Sequence, residues 1–228
     1  MSKSKTVVGK YIFLDIVNYS HNRPVEAQSD IIHVMNKLVR ESISSFKIDN
    51  KGRVLIPTGD GMCIALLDMH DPFDIHMQLS LKIMELLYKY NNSQKDVMRQ
   101  FKIRIGINEN TDNLITDING NKNVAGAGIT EAQRIMDQGD GGNIFVGRAV
   151  HNHLHQREKY MKKFKAFPVT IKHKEKLDVY QYVDQALEFI NSEAPGHLKI
   201  RDTIKTTTEQ FKKKMLSSVK ELSLRIKR

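Results

Sequence analysis

Apolar and polar residues fall in blocks of differing period along this chain, and the blocks predict its elements. Residues 7–17 (VVGKYIFLDIV) are β-rich and mostly apolar, as a central strand would be. Residues 28–46 place Ile31, Ile32, Met35, Leu38, Val39, Ile43 and Phe46 at helical spacing, with Pro24 upstream as a first-turn residue. Two short apolar runs, 53–56 and 62–67, flank Pro57-Thr58-Gly59-Asp60-Gly61 and predict a hairpin. Residues 72–91 form a second amphipathic pattern, and 102–107 a strand followed by an Asn/Asp/Gly-rich loop reaching Gly128. A short helix (129–137), a strand (143–146), a helical stretch (149–155) and a closing strand pair (167–172 and 177–183) complete the order. That order predicts an α+β domain with helices packed on one mixed sheet. No internal repeat is visible.

Composition narrows the class. The chain has 228 residues, 40% of them hydrophobic, so it is rich enough in apolar residues for a packed core. No run approaches the roughly 18 apolar residues of a membrane span. Residues 1–5 carry no secretory h-region, and the single Cys63 fits a reducing compartment, so a cytoplasmic location is expected. The formal net charge is +10, which invites a polyanion partner. Residues 197–228, however, hold ten Lys/Arg against three acids, which is +7 of that total. Ser192-Glu193-Ala194-Pro195-Gly196 is a loop signal. The chain therefore divides into a near-neutral body, 1–190, and a basic tail, 191–228. In the tail, Phe211, Met215, Leu216, Val219, Leu222 and Ile226 oppose Lys212, Lys213, Lys214 and Lys220, an amphipathic basic helix. Packing against protein is favoured for that helix over a membrane surface, and no nucleic-acid module is recognisable.

Two carboxylates stand out. Asp15 interrupts an apolar strand, where an unpaired charge is costly and a cationic partner is required. Asp60 sits between Gly59 and Gly61 at the hairpin tip, where Asp is also an ordinary turn residue. A hard divalent ion held by both carboxylates would satisfy them. His151, His153 and His155 recur at a spacing of two, which does not share a helix face, so they are expected to be solvated.

The ordered context of these residues resembles the class III nucleotidyl cyclases. Phe13-Leu14-Asp15-Ile16 is followed by a helix and then by Pro57-Thr58-Gly59-Asp60-Gly61. Phe101-Lys102-Ile103-Arg104-Ile105-Gly106-Ile107-Asn108 looks like that family's central strand. Gly126-Ala127-Gly128-Ile129-Thr130-Glu131-Ala132-Gln133-Arg134 looks like its catalytic loop and helix, and Gly141-Gly142-Asn143-Ile144-Phe145-Val146 like the turn and strand beyond. The resemblance covers about residues 7–184. The run Ala132-Gln133-Arg134-Ile135-Met136-Asp137 is similar to a bacterial, often stand-alone branch.

The resemblance implies a ferredoxin-like fold, a head-to-tail homodimer and attack of a ribose 3′-hydroxyl on the α-phosphate of a nucleoside triphosphate. It implies two Mg²⁺ or Mn²⁺ ions per site, held by Asp15, Asp60 and the backbone carbonyl of Ile16. It implies that the amides of Val17, Asn18, Tyr19 and Ser20 cradle phosphate oxygens, that Arg134 faces the α-phosphate, and that Lys172 holds the leaving pyrophosphate.

Three positions depart from the family pattern. Thr130 stands where the family usually has a ribose-orienting Asn. Val54 and Asn123 stand at the base-reading positions, where purine cyclases carry other residues. Arg53 enters if the alignment slips by one. A site without purine contacts suits a pyrimidine, and short stand-alone class III proteins making cyclic UMP or cyclic CMP in anti-phage signalling are similar. ATP is the rival substrate, and a catalytically silent nucleotide-binding domain is the second alternative, motivated by Thr130.

Overall fold

The computed structural model describes residues 4–170 and 176–199. One compact unit runs to Glu193. Residues 194–199 open a second unit, where the N–H groups of Leu198 and Lys199 both donate to the Pro195 carbonyl.

The chain order is β1 (Lys5–Ile16), α1 (Val25–Ser45), β2 (Arg53–Pro57), β3 (Gly61–Leu67), α2 (Ile75–Ser93), β4 (Ile103–Thr116), β5 (Lys122–Ala125), α3 (Ala127–Met136), β6 (Ile144–Gly147), α4 (Arg148–Leu154), β7 (Phe164–Thr170) and β8 (Lys176–Tyr182). The strands form one sheet in the order β2-β3-β1-β4-β6-β8-β7, with β5 paired to β4 off that path. Among the described residues only the β4–β6 pairing is parallel, so the sheet is mixed and the expected α+β architecture is present.

Strand alternation sends each face of the sheet to a different core. On β1, Ile12, Leu14 and Ile16 join the larger cluster with residues of α1, α2 and α4. Tyr11 and Phe13 join a smaller cluster with Ala132 and Met136 of α3. Asp15, in step with Tyr11 and Phe13, therefore projects on the α3 side of the sheet. On β4, Ile103, Ile105 and Ile107 belong to the larger cluster, which puts Arg104 and Gly106 on the α3 side with Asp15. Gly106 is what lets the helix lie so close: a Cβ there would stand 2.3 Å from the Ala132 carbonyl oxygen and from the Met136 nitrogen.

Several sequence expectations are corrected. Helix α1 begins at Val25 with Pro24 as its N-cap, three residues earlier than apolar periodicity suggests. The expected loop after residue 107 is a hairpin. β4 continues to Thr116, pairing Asn108–Leu114 positions with β1, and β5 returns along it. These polar residues extend because β1 supplies backbone partners as far as Lys5↔Leu114, a tertiary cause that overrides their poor strand propensity. The turn is closed by Asp117, whose Oδ1 accepts the N–H groups of Asn119 and Asn121. The histidines are not simply solvated. His151 stacks on Tyr180 at 3.8 Å and on His155 at 4.6 Å, while His153 Nδ1 lies 2.6 Å from Glu109 Oε2. Lys172 and the apolar stripe of the tail lie outside the described residues. Among the described residues, no helix is long and apolar enough to cross a membrane.

Candidate active site

Asp15 and Asp60 meet at the C-terminal end of β1. The register pairs Asp15 with Gly61, and the Ile16 N–H donates to the Asp60 carbonyl at 3.2 Å, which ties the hairpin tip to the strand end. The tip is closed by the Thr58 N–H donating to the Gly61 carbonyl. Gly61 admits no side chain, because a Cβ would stand 2.4 Å from the Leu14 carbonyl oxygen. A shallow cavity of about 590 Å³ opens beside the tip, lined by Tyr19, Ser29, Ile32, His33, Gly59 and Asp60.

The cationic partner that Asp15 requires is Arg104, which sequence reasoning missed. Its Nε and Nη2 lie 3.2 and 3.0 Å from Asp15 Oδ2. Nη2 also lies 3.4 Å from Oδ1 of Asp137, the C-cap of α3. The only available signal was the register that sets residue 15 against residue 104, which a single sequence does not display. Burial pushes the Asp15 carboxyl above the ordinary carboxylate range. Hydrogen bonding from Arg104 opposes that rise, and the negative charge of Asp60 adds to it.

The donor set fits a hard divalent ion. It comprises two carboxylates and, at Ile16, a backbone carbonyl; the Ile16 side chain itself is buried. Among the described residues no group of three or more His, Cys, Asp or Glu side chains forms a metal cage, so such an ion would complete its shell with water or substrate oxygens.

One amide of the loop after β1 differs from expectation. The Val17 N–H donates to the Lys102 carbonyl at 2.9 Å and is not available to a phosphate. Asn18, Tyr19 and Ser20 lie in turns ahead of α1 and so precede the helix N-terminus.

Thr130 and Arg134 lie one turn apart on α3 and share a face. The helix is seated at its start by Asp112 Oδ2, which accepts the Gly128 N–H at 3.0 Å, and by the Asn108 amide donating to Glu131 Oε2 at 2.9 Å. Val54 is buried at 4% exposure in the α3-side cluster, closed off from solvent. Asn123 stands on β5 opposite Ile115, and its Oδ1 accepts the Val124 N–H at 2.7 Å.

A family model described as the adenylate and guanylate cyclase catalytic domain matches residues 6–184. Among solved structures, the chain is similar to the catalytic core of a rhodopsin-guanylyl cyclase with converted specificity in complex with ATPalphaS, at 18% identity and a TM-score of 0.63, covering 81% of this chain and 100% of that one. It is similar to the guanylate cyclase domain of RhGC from Catenaria anguillulae in complex with GTP, at 18% identity and a TM-score of 0.59, covering 78% and 98%. It is also similar to the adenylyl cyclase CyaB from P. aeruginosa, at 15% identity and a TM-score of 0.62, covering 80% and 97%. At these identities the structures speak for the fold. Among curated proteins, no sequence matches. The family match spans well over half of the chain and takes in both carboxylates, Arg104 and Arg134, so this protein belongs to the adenylate and guanylate cyclase catalytic domain family and is a nucleotidyl cyclase.

Proposed function

We propose that this cyclase is a metal-dependent homodimer acting on a pyrimidine nucleoside triphosphate, UTP or CTP, with residues 1–190 as its catalytic body. The observation that carries the metal role is the pair of carboxylate residues brought together at the end of β1, with Asp15 in register with Gly61 and the Ile16 N–H held by the Asp60 carbonyl. The 3′-oxygen forms a bond to the α-phosphorus, the bond to the bridging oxygen breaks, pyrophosphate leaves and the hydroxyl proton passes to solvent. Mg²⁺ or Mn²⁺, two per site, supply Lewis-acid polarisation of the hydroxyl and neutralise the triphosphate when bound. Asp15, Asp60 and the Ile16 carbonyl would hold the ions. Arg104, already at this strand end, exchanges part of its contact with Asp15 for phosphate oxygens. Arg134 and Thr130 act from the partner's α3, Arg134 against charge at the α-phosphate and Thr130 on the ribose. Lys172 holds the leaving pyrophosphate.

The pyrimidine reading rests on Val54 and Asn123. Val54 is apolar and buried and so offers a base edge no polar atom, while the Asn123 side chain has a donor amide and an oxygen that, with one lone pair given to the Val124 N–H, can still accept. The product would be a second messenger in antiviral defence. Adenylate cyclase activity is the alternative, and a silent nucleotide-binding domain the second. Incubating the protein with each of ATP, GTP, CTP and UTP plus Mn²⁺ or Mg²⁺, with mass-spectrometric detection, separates them. Cyclic UMP or cyclic CMP as the main product supports the proposal. Cyclic AMP moves the substrate to ATP, and no product from any of the four removes the activity.

A further inference from the structure

The residue that shapes the loop after β1 is Arg23. Its guanidinium makes four hydrogen bonds, all to backbone carbonyls. Nη1 donates to Asn18 O at 2.6 Å and to Tyr19 O at 3.0 Å. Nε donates to Met98 O and Nη2 to Gln100 O, each at 3.0 Å. The second pair is a fixed point. Asn91 of α2 donates to the Phe101 carbonyl and accepts the Phe101 N–H, and Gln100 Nε2 donates to the carbonyls of Asn91 and Gln94. Arg23 thus fastens the loop to a segment that α2 already holds.

The direction of the fastened carbonyls has a consequence. In a trans peptide the C=O and the following N–H point opposite ways. With the carbonyls of Asn18 and Tyr19 drawn to one guanidinium, the N–H groups of Tyr19 and Ser20 both turn to the other side. Among the described residues neither N–H has a hydrogen-bond partner. Asn18 takes a φ of 55°, the left-handed conformation that lets consecutive amides converge into an anion-binding concavity. Tyr19 also lines the cavity that holds Asp60. The Arg23 charge at the carbonyl ends polarises both peptides and strengthens their N–H groups as donors.

We infer that Arg23 is a positioning residue that creates the triphosphate cradle of the Tyr19 and Ser20 amides without touching the substrate. This deepens the reading above and rests on it for the identity of the anion. Lysine cannot replace the clamp, because an ammonium has no planar fork to reach carbonyls on two segments.

The test compares wild type, Arg23→Ala and Arg23→Lys in the full-length protein. Steady-state kinetics with the preferred nucleotide, calorimetry with Mg²⁺ and inorganic tripolyphosphate, and thermal unfolding are measured for each. The expected result is a KM raised about tenfold in both variants, with kcat changed by less than about threefold. Tripolyphosphate affinity should weaken in parallel. Ethylguanidinium at millimolar concentration should recover part of the lost affinity in Arg23→Ala and none in Arg23→Lys. A fall in kcat at unchanged KM, or unchanged tripolyphosphate binding, overturns the inference. If Arg23→Ala is unfolded, Arg23→Lys carries the same comparison. If wild type makes no cyclic product, the proposed function fails while the tripolyphosphate arm still decides the role of Arg23.

Discussion

Arg104 sets two donors on a single oxygen of Asp15, 3.0 and 3.2 Å away, across the register that places the two residues side by side on β4 and β1. The guanidinium therefore stands where a metal ion would draw on the same carboxylate. This relationship organises the expected behaviour of the site.

Asp15→Asn should abolish turnover with little net change in melting temperature. The folded-state carboxyl is raised by burial and by Asp60, so a neutral isostere removes that cost, but it also removes the charge from the Arg104 hydrogen bonds. Asp60→Ala should abolish turnover too and leave the fold intact, since the residue lies at a hairpin tip. Cyclase assays beside thermal unfolding check both, and residual turnover above about one per cent would refute the metal assignment.

Arg104→Ala should have opposite effects on stability and on metal binding. Losing the charge-assisted bonds to Asp15 should cost about 1–2 kcal/mol in the metal-free protein. With the competing cation gone, Mn²⁺ should bind more tightly in the absence of nucleotide. Titration followed by electron paramagnetic resonance measures this, and weaker Mn²⁺ binding would show that Arg104 assists the ion.

Gly106→Ala should destabilise the fold by about 1–3 kcal/mol and reduce turnover, because the added methyl meets backbone atoms of α3 that cannot rotate away. Displacing α3 also moves Thr130 and Arg134. Denaturant unfolding and kinetics on the same sample test the pair of effects.

A pH-dependent contribution is expected at Asp74, which is buried at 2% exposure. Burial alone would raise its carboxyl, but hydrogen bonds from Tyr160 at 2.6 Å, Lys159 and Gln78 outweigh that and hold it below the ordinary value. A depressed carboxyl stabilises the fold above the unfolded-state value of 3.8, and that stabilisation is lost as pH falls through the folded-state value. Tyr160→Phe should therefore cost about 1–2 kcal/mol near neutral pH, with the gap to wild type closing below about pH 4. Unfolding curves across pH 3–7 read this directly; a constant gap would place the effect in packing alone.

Two inactive variants should complement each other. If Arg134 serves a site built on the partner's Asp60, co-expressed Arg134→Ala and Asp60→Ala chains form heterodimers with one intact site. Random pairing predicts recovery of about a quarter of wild-type activity. Recovery near zero in mixed dimers would refute the head-to-tail arrangement.

Much of this site was legible in the sequence because its signals are local. Asp15 contradicts an apolar strand, Asp60 sits between two glycines, and Thr130 and Arg134 fall four apart on a helical pattern. The ordered motifs around them suffice to indicate the family. The misses share a cause. The hairpin carrying Asn123 has a polar, loop-like composition, and it is extended only because β1 offers it a partner. Arg104 reads as one more strand residue until the register sets it against Asp15.

The sequence by itself determined the order of most elements, the two faces of β1 and the carboxylates at its end. Those follow from side-chain period and turn chemistry, which act within a few residues. The tertiary structure alone decided that Arg104 answers Asp15, that the Val17 amide is spent on Lys102, and that Arg23 turns the Tyr19 and Ser20 amides outward. The first two join groups more than eighty residues apart, and Arg23 is held in place by carbonyls more than seventy residues away, so only strand register and loop docking bring these groups within hydrogen-bond reach.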